Sequence, residues 1–264
     1  MESDLTQNGR TQDERTVLLL GGTGRTGGRV LRQLLGRDVR VRAVVRSAER
    51  LPAGVADDPR LRVVEADLLA LSDAEVGGLV DGCDAVISCL GHNITAQGVF
   101  GKPRDLVARS VERVYRAIQE SRKARAAEPE APAPPVKLIL MSTVSVNRPG
   151  RLDAHRGPVE RACLWALRGL VPPSRDNQRA ADFLHEVIGA DDPIAQWVAV
   201  RPDSLKEGDV TDYALHEGLV DSLFHPGETN MANVAHFMCE LATDAEAWST
   251  WRGKLPVIVN VASA

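Results

Sequence analysis

The chain reads as an α/β protein built on a doubly wound parallel sheet. Three features predict this: seven short apolar runs rich in Val, Ile and Leu, segments of helical spacing between them, and a glycine-rich turn that joins the first run directly to a helix. The runs lie at Thr16–Leu20, Val39–Val45, Leu61–Glu65, Ala85–Ser88, Val136–Met141, Trp197–Arg201 and Pro256–Asn260. Buried parallel strands are covered by helices on both faces and so carry near-continuous apolar side chains. Right-handed crossovers between them predict the strand order 3-2-1-4-5-6-7, with a ligand crevice where the order reverses between strands 1 and 4.

At 264 residues the chain suffices for one large core, and we read residues 16–264 as a single domain preceded by a polar arm over residues 1–15. Hydrophobic residues make up 44% and charged residues 26%, the range of a folded water-soluble protein. A net charge of -4 provides no global basic field, and the basic stretch Arg37–Arg50 alternates with apolar strand residues, so nucleic acid is not an expected partner. Without an apolar run long enough for a membrane span or a leader, we expect no membrane association and a cytoplasmic location. Cys83, Cys89, Cys163 and Cys239 lack paired zinc spacing and read as reduced thiols. His216, His225 and His236 show no ligand spacing either, so no metal is expected. The Pro-rich segment Ala124–Pro135 cannot continue the amphipathic helix before it and reads as an exposed loop into strand 5.

The strongest chemical signal is VLLLGGTGRTGGRVLRQLL, from Val17 to Leu35. It contains Gly22-x-Gly24-x-x-Gly27 and, read from Gly21, also Gly-x-x-Gly-x-x-Gly. Glycines here allow a tight turn, close approach of a diphosphate to the backbone and tight helix–strand packing, while helix amides and dipole stabilise the anion. Strand, turn and helix in this order point to a Rossmann-type dinucleotide site that includes Gly21, Gly22, Thr23, Gly24, Arg25, Thr26 and Gly27. At the end of strand 2, where an NAD site carries an acid for the ribose 2′-hydroxyl, stands Arg46. A guanidinium suits a 2′-phosphate, so NADP(H) is expected over NAD(H), with Arg25 and Ser47 as further donors or as solvent-facing groups. Strand 3 ends at Asp67 and Leu68, where Asp67 either accepts from the adenine amine or caps the following helix. Strand 4 delivers Ser88, Cys89, Leu90 and Gly91 to the cofactor, Cys89 being read as a small buried apolar residue rather than a nucleophile.

These residues together resemble the atypical short-chain dehydrogenase/reductase superfamily, in its NAD(P)H-binding branch similar to NmrA-like proteins and biliverdin-IXβ/flavin reductases. The resemblance spans nearly the whole chain through LLLGGTGRTGG, ADLL, AVISCLG, LILMSTVSVNRPG, WVAVRPDSL and NVAHFMCELATD. It implies a Rossmann core with a small C-terminal substrate cap, drawn from about residues 145–195 and 203–235, and NADPH-dependent reduction of an organic molecule. Ordinary members place a Tyr-x-x-x-Lys pair after strand 5. Here the only tyrosines are Tyr115 and Tyr213, and neither has Lys four residues later.

Other groups must therefore be weighed. Ser142 and Thr143, at the end of strand 5, can hydrogen-bond an acceptor oxygen beside the nicotinamide but as neutral hydroxyls protonate poorly. His155 stands about where the missing tyrosine would be and titrates in a range useful to a general acid, but it lies in a polar, turn-like stretch where most histidines are simply exposed. Asp176 and Asn177 precede a helix in this reading and are either caps or catalytic. By analogy with the family, Pro202 shapes the crevice after strand 6 and Asp203 is an acid or a cap. The helix in VERACLWALRGLVPP presents Leu164, Trp165, Leu167 and Leu170, read as core in preference to a substrate lid or a subunit contact. The leading expectation is an NADPH-dependent reductase of a small aromatic or polycyclic molecule. The alternatives are an NAD(P)-binding redox sensor and a cofactor-retaining isomerase, epimerase or cyclase; a homodimer is left open.

Overall fold

The computed structural model describes residues 15–92, 103–125, 133–148 and 156–261. Most of the expected loop over Ala124–Pro135 falls outside these residues, as does His155.

An eight-stranded sheet forms the centre, in the order β3-β2-β1-β4-β5-β6-β10-β8. Its strands are β1 (Thr16–Leu20), β2 (Arg40–Val45), β3 (Leu61–Glu65), β4 (Ala85–Ser88), β5 (Val136–Met141), β6 (Ala195–Pro202), β8 (Tyr213–His216) and β10 (Val257–Asn260). Neighbours from β3 through β10 run parallel, and the order reverses between β1 and β4 as the crossover rule requires. The edge strand β8 pairs antiparallel with β10, from Tyr213 opposite Asn260 to His216 opposite Val257. It was not foreseen, because its four residues sit in a polar stretch. A separate two-stranded sheet joins β7 (Ser204–Lys206) to β9 (Glu228–Asn230).

Alternation along β1 divides the core. Leu18 and Leu20 face one layer, packed with residues of α2 (Asp73–Val80), α3 (Leu106–Arg125) and α5 (Pro172–Phe183). Val17 and Leu19 face the other, built by α1 (Arg25–Leu35), α6 (Met231–Thr243) and α7 (Ala245–Trp251). Helix starts follow local chemistry. Ser72 accepts from Glu75 N while the Glu75 carboxylate accepts from Ser72 N, a reciprocal cap for α2. Pro172 and Pro173 begin α5, where a missing N–H costs nothing.

Two expectations change here. The helix α4 (Pro158–Leu170) exists, but it is not core on the face assigned to it: Leu164 is buried, whereas Trp165 is 80% and Leu170 74% exposed. Helical spacing identifies an apolar stripe without saying what covers it. Asp176 and Asn177 do not precede a helix; α5 starts four residues before Asp176, which therefore cannot cap it.

Candidate functional site

β1 runs into a turn that cannot tolerate side chains. Gly21 has φ +81°, and a Cβ there would stand 2.8 Å from Cys89 O. At Gly27, in the first turn of α1, a Cβ would lie 2.1 Å from Gly21 O. Gly24 N donates to Gly21 O at 2.9 Å and closes the turn. The N-cap of α1 is Gly24, with no side-chain cap and no acidic residue in the first turn. The first amides of a helix lack intrahelical acceptors, so this end presents bare donors and the positive end of the dipole, the chemistry a diphosphate requires. Gly22 and Thr26 are buried, Thr23 is partly buried, and Gly24 and Arg25 are exposed.

Arg25 projects outward and pairs with Glu207 at 2.8 Å, and Arg29 joins the same carboxylate. Both guanidiniums hold the Glu207 carboxyl below its usual range, the Arg25 hydrogen bond being the largest cause. Arg46 follows β2 directly, is exposed, and has no ion pair or hydrogen bond among the described residues. Ser47 next to it starts a 3₁₀ turn, Ala48–Arg50, whose first amide donates to Glu65 at 2.9 Å. Asp67 accepts from Leu69 N at 2.9 Å through one oxygen, a local turn bond, and Leu68 is buried.

The exits of β4 and β5 form the other wall of the crevice. Cys89 backs onto the glycine turn, its Cβ 3.2 Å from where a Gly27 Cβ would stand, and burial pushes its thiol far up, which removes thiolate chemistry. Leu90 is partly buried and Gly91 exposed. Ser88 and Ser142 are each 5% exposed, and neither hydroxyl has a partner among the described residues. Two orphaned hydroxyls at the C-terminal ends of adjacent strands are what a polar ligand or water would satisfy. Thr143 is committed locally, its Oγ1 accepting from Ser145 N at 3.3 Å. Val144 N donates to Pro202 O at 3.2 Å and ties the β5 exit to the end of β6. Asp203 is partly buried and accepts from Gly227 N at 3.2 Å; burial raises its carboxyl above the ordinary range, helped by Asp221 and opposed by the Gly227 bond.

Both tyrosines are engaged elsewhere. Tyr115 donates to Asp192 at 3.0 Å, near the N-terminal end of β6 and so away from the crevice, and Tyr213 bonds His236 Nδ1 at 2.9 Å. The described residues contain no cluster of three metal-ligating side chains, and no helix among them is long and apolar enough to cross a membrane.

A pair that no sequence motif joins stands at the same end of the sheet. His92 Nε2 lies 2.8 Å from Asp176 Oδ2, with side-chain exposures of 5% and 0%. Eighty-four positions separate them, so no local spacing could have announced the contact.

Comparison with known proteins agrees with this geometry. Residues 21–245 match the NAD(P)H-binding family. An uncharacterised chloroplastic protein of Arabidopsis thaliana is 38% identical over 77 residues, which is 29% of this chain and 28% of that relative's length. Among solved structures, the oxidoreductase ylbE of Lactococcus lactis superposes with TM-score 0.63 at 19% identity, over 94% of this chain and 92% of its own. A short-chain dehydrogenase/reductase of Veillonella parvula in complex with NADP gives TM-score 0.63 at 14% identity, over 93% and 94%. At such identities the likeness is one of fold, whereas the family match spans the glycine turn and six of the eight strands of the large sheet: this chain belongs to the NAD(P)H-binding family.

Proposed function

We propose that the protein is an NADPH-dependent oxidoreductase that reduces a small, aromatic or polycyclic organic molecule. The observation that carries the cofactor choice is Arg46, a guanidinium without a partner among the described residues, directly after β2 and one strand from the glycine turn. A 2′-phosphate there gains charge-assisted hydrogen bonds worth roughly 1.5–3 kcal/mol, about a 10- to 100-fold preference over NAD. The diphosphate rests on the amides of Gly22, Thr23 and the first turn of α1, Ser47 adds a donor beside Arg46, and Asp67 turns its second oxygen to the adenine.

When bound, the reduced nicotinamide supplies the hydride. The chain's own groups do the rest: Ser88, Ser142 and Pro202 shape the pocket between strand exits, and Ser142 with Thr143 orients the acceptor oxygen. Asp203, whose carboxyl burial raises above its ordinary range, adds an acidic group at the edge of that pocket. The described residues within 145–195 and 203–235 supply the wall over the acceptor. Calorimetry with NADP+ and NAD+, followed by NADPH oxidation with quinones, flavins and aromatic ketones, tests this reading. Tight NADP+ binding with turnover supports it, and cofactor binding without turnover on any acceptor defeats it.

The lack of a Tyr-x-x-x-Lys pair, together with the exposed Trp165 and Leu170, favours one other reading, a redox sensor whose dinucleotide is the signal. A protein partner retained with NADP+ and released with NADPH would select it.

A further inference from the structure

Asp176 lies in the second turn of α5, 1% exposed, and gathers donors from two other parts of the fold. Val107 N at 2.8 Å and His92 Nε2 at 2.8 Å approach Oδ2, and Ala108 N at 3.0 Å approaches Oδ1. The two amides belong to the first turn of α3, so Asp176 caps a helix to which it does not belong. Amides can only donate. A carboxylate that takes them on both oxygens is an acceptor toward its third partner as well, so His92 Nε2 carries hydrogen and Nδ1 is the nitrogen left for other chemistry.

Capping accounts for the two amides but not for the imidazole. A buried ring against a buried carboxylate is costly to build, and it stands at a telling place. His92 is four residues beyond the end of β4, the strand between β1 with its glycine turn and β5 with Ser142 and Thr143. The same helix holds the β5 exit: Gln178 accepts from Asn147 N at 3.0 Å and donates to Asn147 O at 3.3 Å. α5 thus fixes both strand exits on the nicotinamide side of the crevice, where the usual Tyr–Lys pair is missing.

We propose that His92 is the proton donor to the acceptor, with Asp176 as the positioning residue that fixes its tautomer; this rests on the reductase reading above. As the acceptor carbon takes a hydride, the C=O π pair moves to oxygen and the Nδ1 proton of the imidazolium passes to that oxygen. One alcohol and one oxidised dinucleotide result, and the ring is left neutral with Nε2–H still on Asp176. Water returns the proton to Nδ1. A carboxylate that locks a histidine tautomer in this way is a known requirement of acid–base dyads, where its amide replacement presents a donor and inverts the ring's proton.

The test combines spectroscopy with kinetics. In protein carrying ¹⁵N-histidine, with His92→Gln to assign the signals, the neutral His92 ring shows hydrogen on Nε2, and NADP+ shifts its Nδ1 signal. Asp176→Asn moves the hydrogen to Nδ1. With phenanthrenequinone as acceptor, His92→Gln and Asp176→Asn each lose roughly 100-fold or more in kcat, while NADP+ affinity and the KM for NADPH stay within about 3-fold. Wild-type turnover that survives His92→Gln within about 3-fold overturns the proposal and leaves the reductase reading intact. So does an Nδ1 signal unmoved by NADP+, a measurement on the wild type that decides the matter even if Asp176→Asn fails to fold. A wild type that binds NADP+ but reduces neither phenanthrenequinone, menadione nor a flavin defeats the reductase reading first.

Discussion

Alanine at Gly27 would set a methyl carbon 2.1 Å from Gly21 O, 2.8 Å from Gly21 C and 3.2 Å from Cys89 Cβ. The first two are backbone atoms of a turn closed by the Gly24–Gly21 hydrogen bond, so no side-chain rotation relieves the clash. The turn must open by about 1 Å to restore ordinary contact, an overpacking that costs ~1–3 kcal/mol. That shift moves the amides that cradle the diphosphate. We expect Gly27→Ala to stay folded, with a lower thermal midpoint, and to bind NADP+ roughly 10- to 100-fold more weakly in calorimetry. Gly78 is the control. It lies inside α2 with nothing within 4 Å of its would-be Cβ, so Gly78→Ala gains about 0.5–1 kcal/mol of stability and leaves binding unchanged. NADP+ affinity within 2-fold of wild type in Gly27→Ala, at roughly unchanged midpoint, would refute the assignment of this turn.

Arg46→Asp should weaken NADP+ roughly 10- to 100-fold and NAD+ by less than about 3-fold, and equal losses would remove its assigned role. Lys137 donates to Leu241 O and Ala242 O at 3.2 Å each, at the C-terminal end of α6, and burial lowers its ammonium to about 8. The unfolded chain keeps that proton to about 10.4, so this residue's contribution to stability rises between about pH 8 and 10. The wild-type minus Lys137→Met difference in unfolding free energy should climb over that window, and a flat difference contradicts the burial. Trp165→Ser, at an 80% exposed position, should leave the thermal midpoint nearly unchanged. Trp197→Ala, at a 1% exposed one, should cost about 3–5 kcal/mol in denaturant unfolding.

How much was legible follows from where the information lies. Buried parallel strands record themselves as apolar runs, and the observed central strands fall on the expected runs within a residue or two, together with the reversal at β1 and β4. The edge strand β8 was missed because an edge needs no apolar alternation. The double proline at Pro172 and Pro173 did mark the start of α5, and attention to the first-turn preference would have placed Asp176 inside that helix. α4 shows the opposite failure: a stripe of Leu164, Trp165 and Leu170 reads the same whether a core or solvent faces it. The glycine turn was readable since its chemistry is contiguous. The His92–Asp176 pair was not, because it exists only once α5 packs across the start of α3.

Where the dinucleotide sits on the protein decides its function. A crystal structure of the chain grown with NADP+ should show diphosphate oxygens about 3 Å from the amides that open α1, and the 2′-phosphate against the Arg46 guanidinium. Well-ordered protein with the nucleotide bound elsewhere, or with none bound at saturating NADP+, would contradict it.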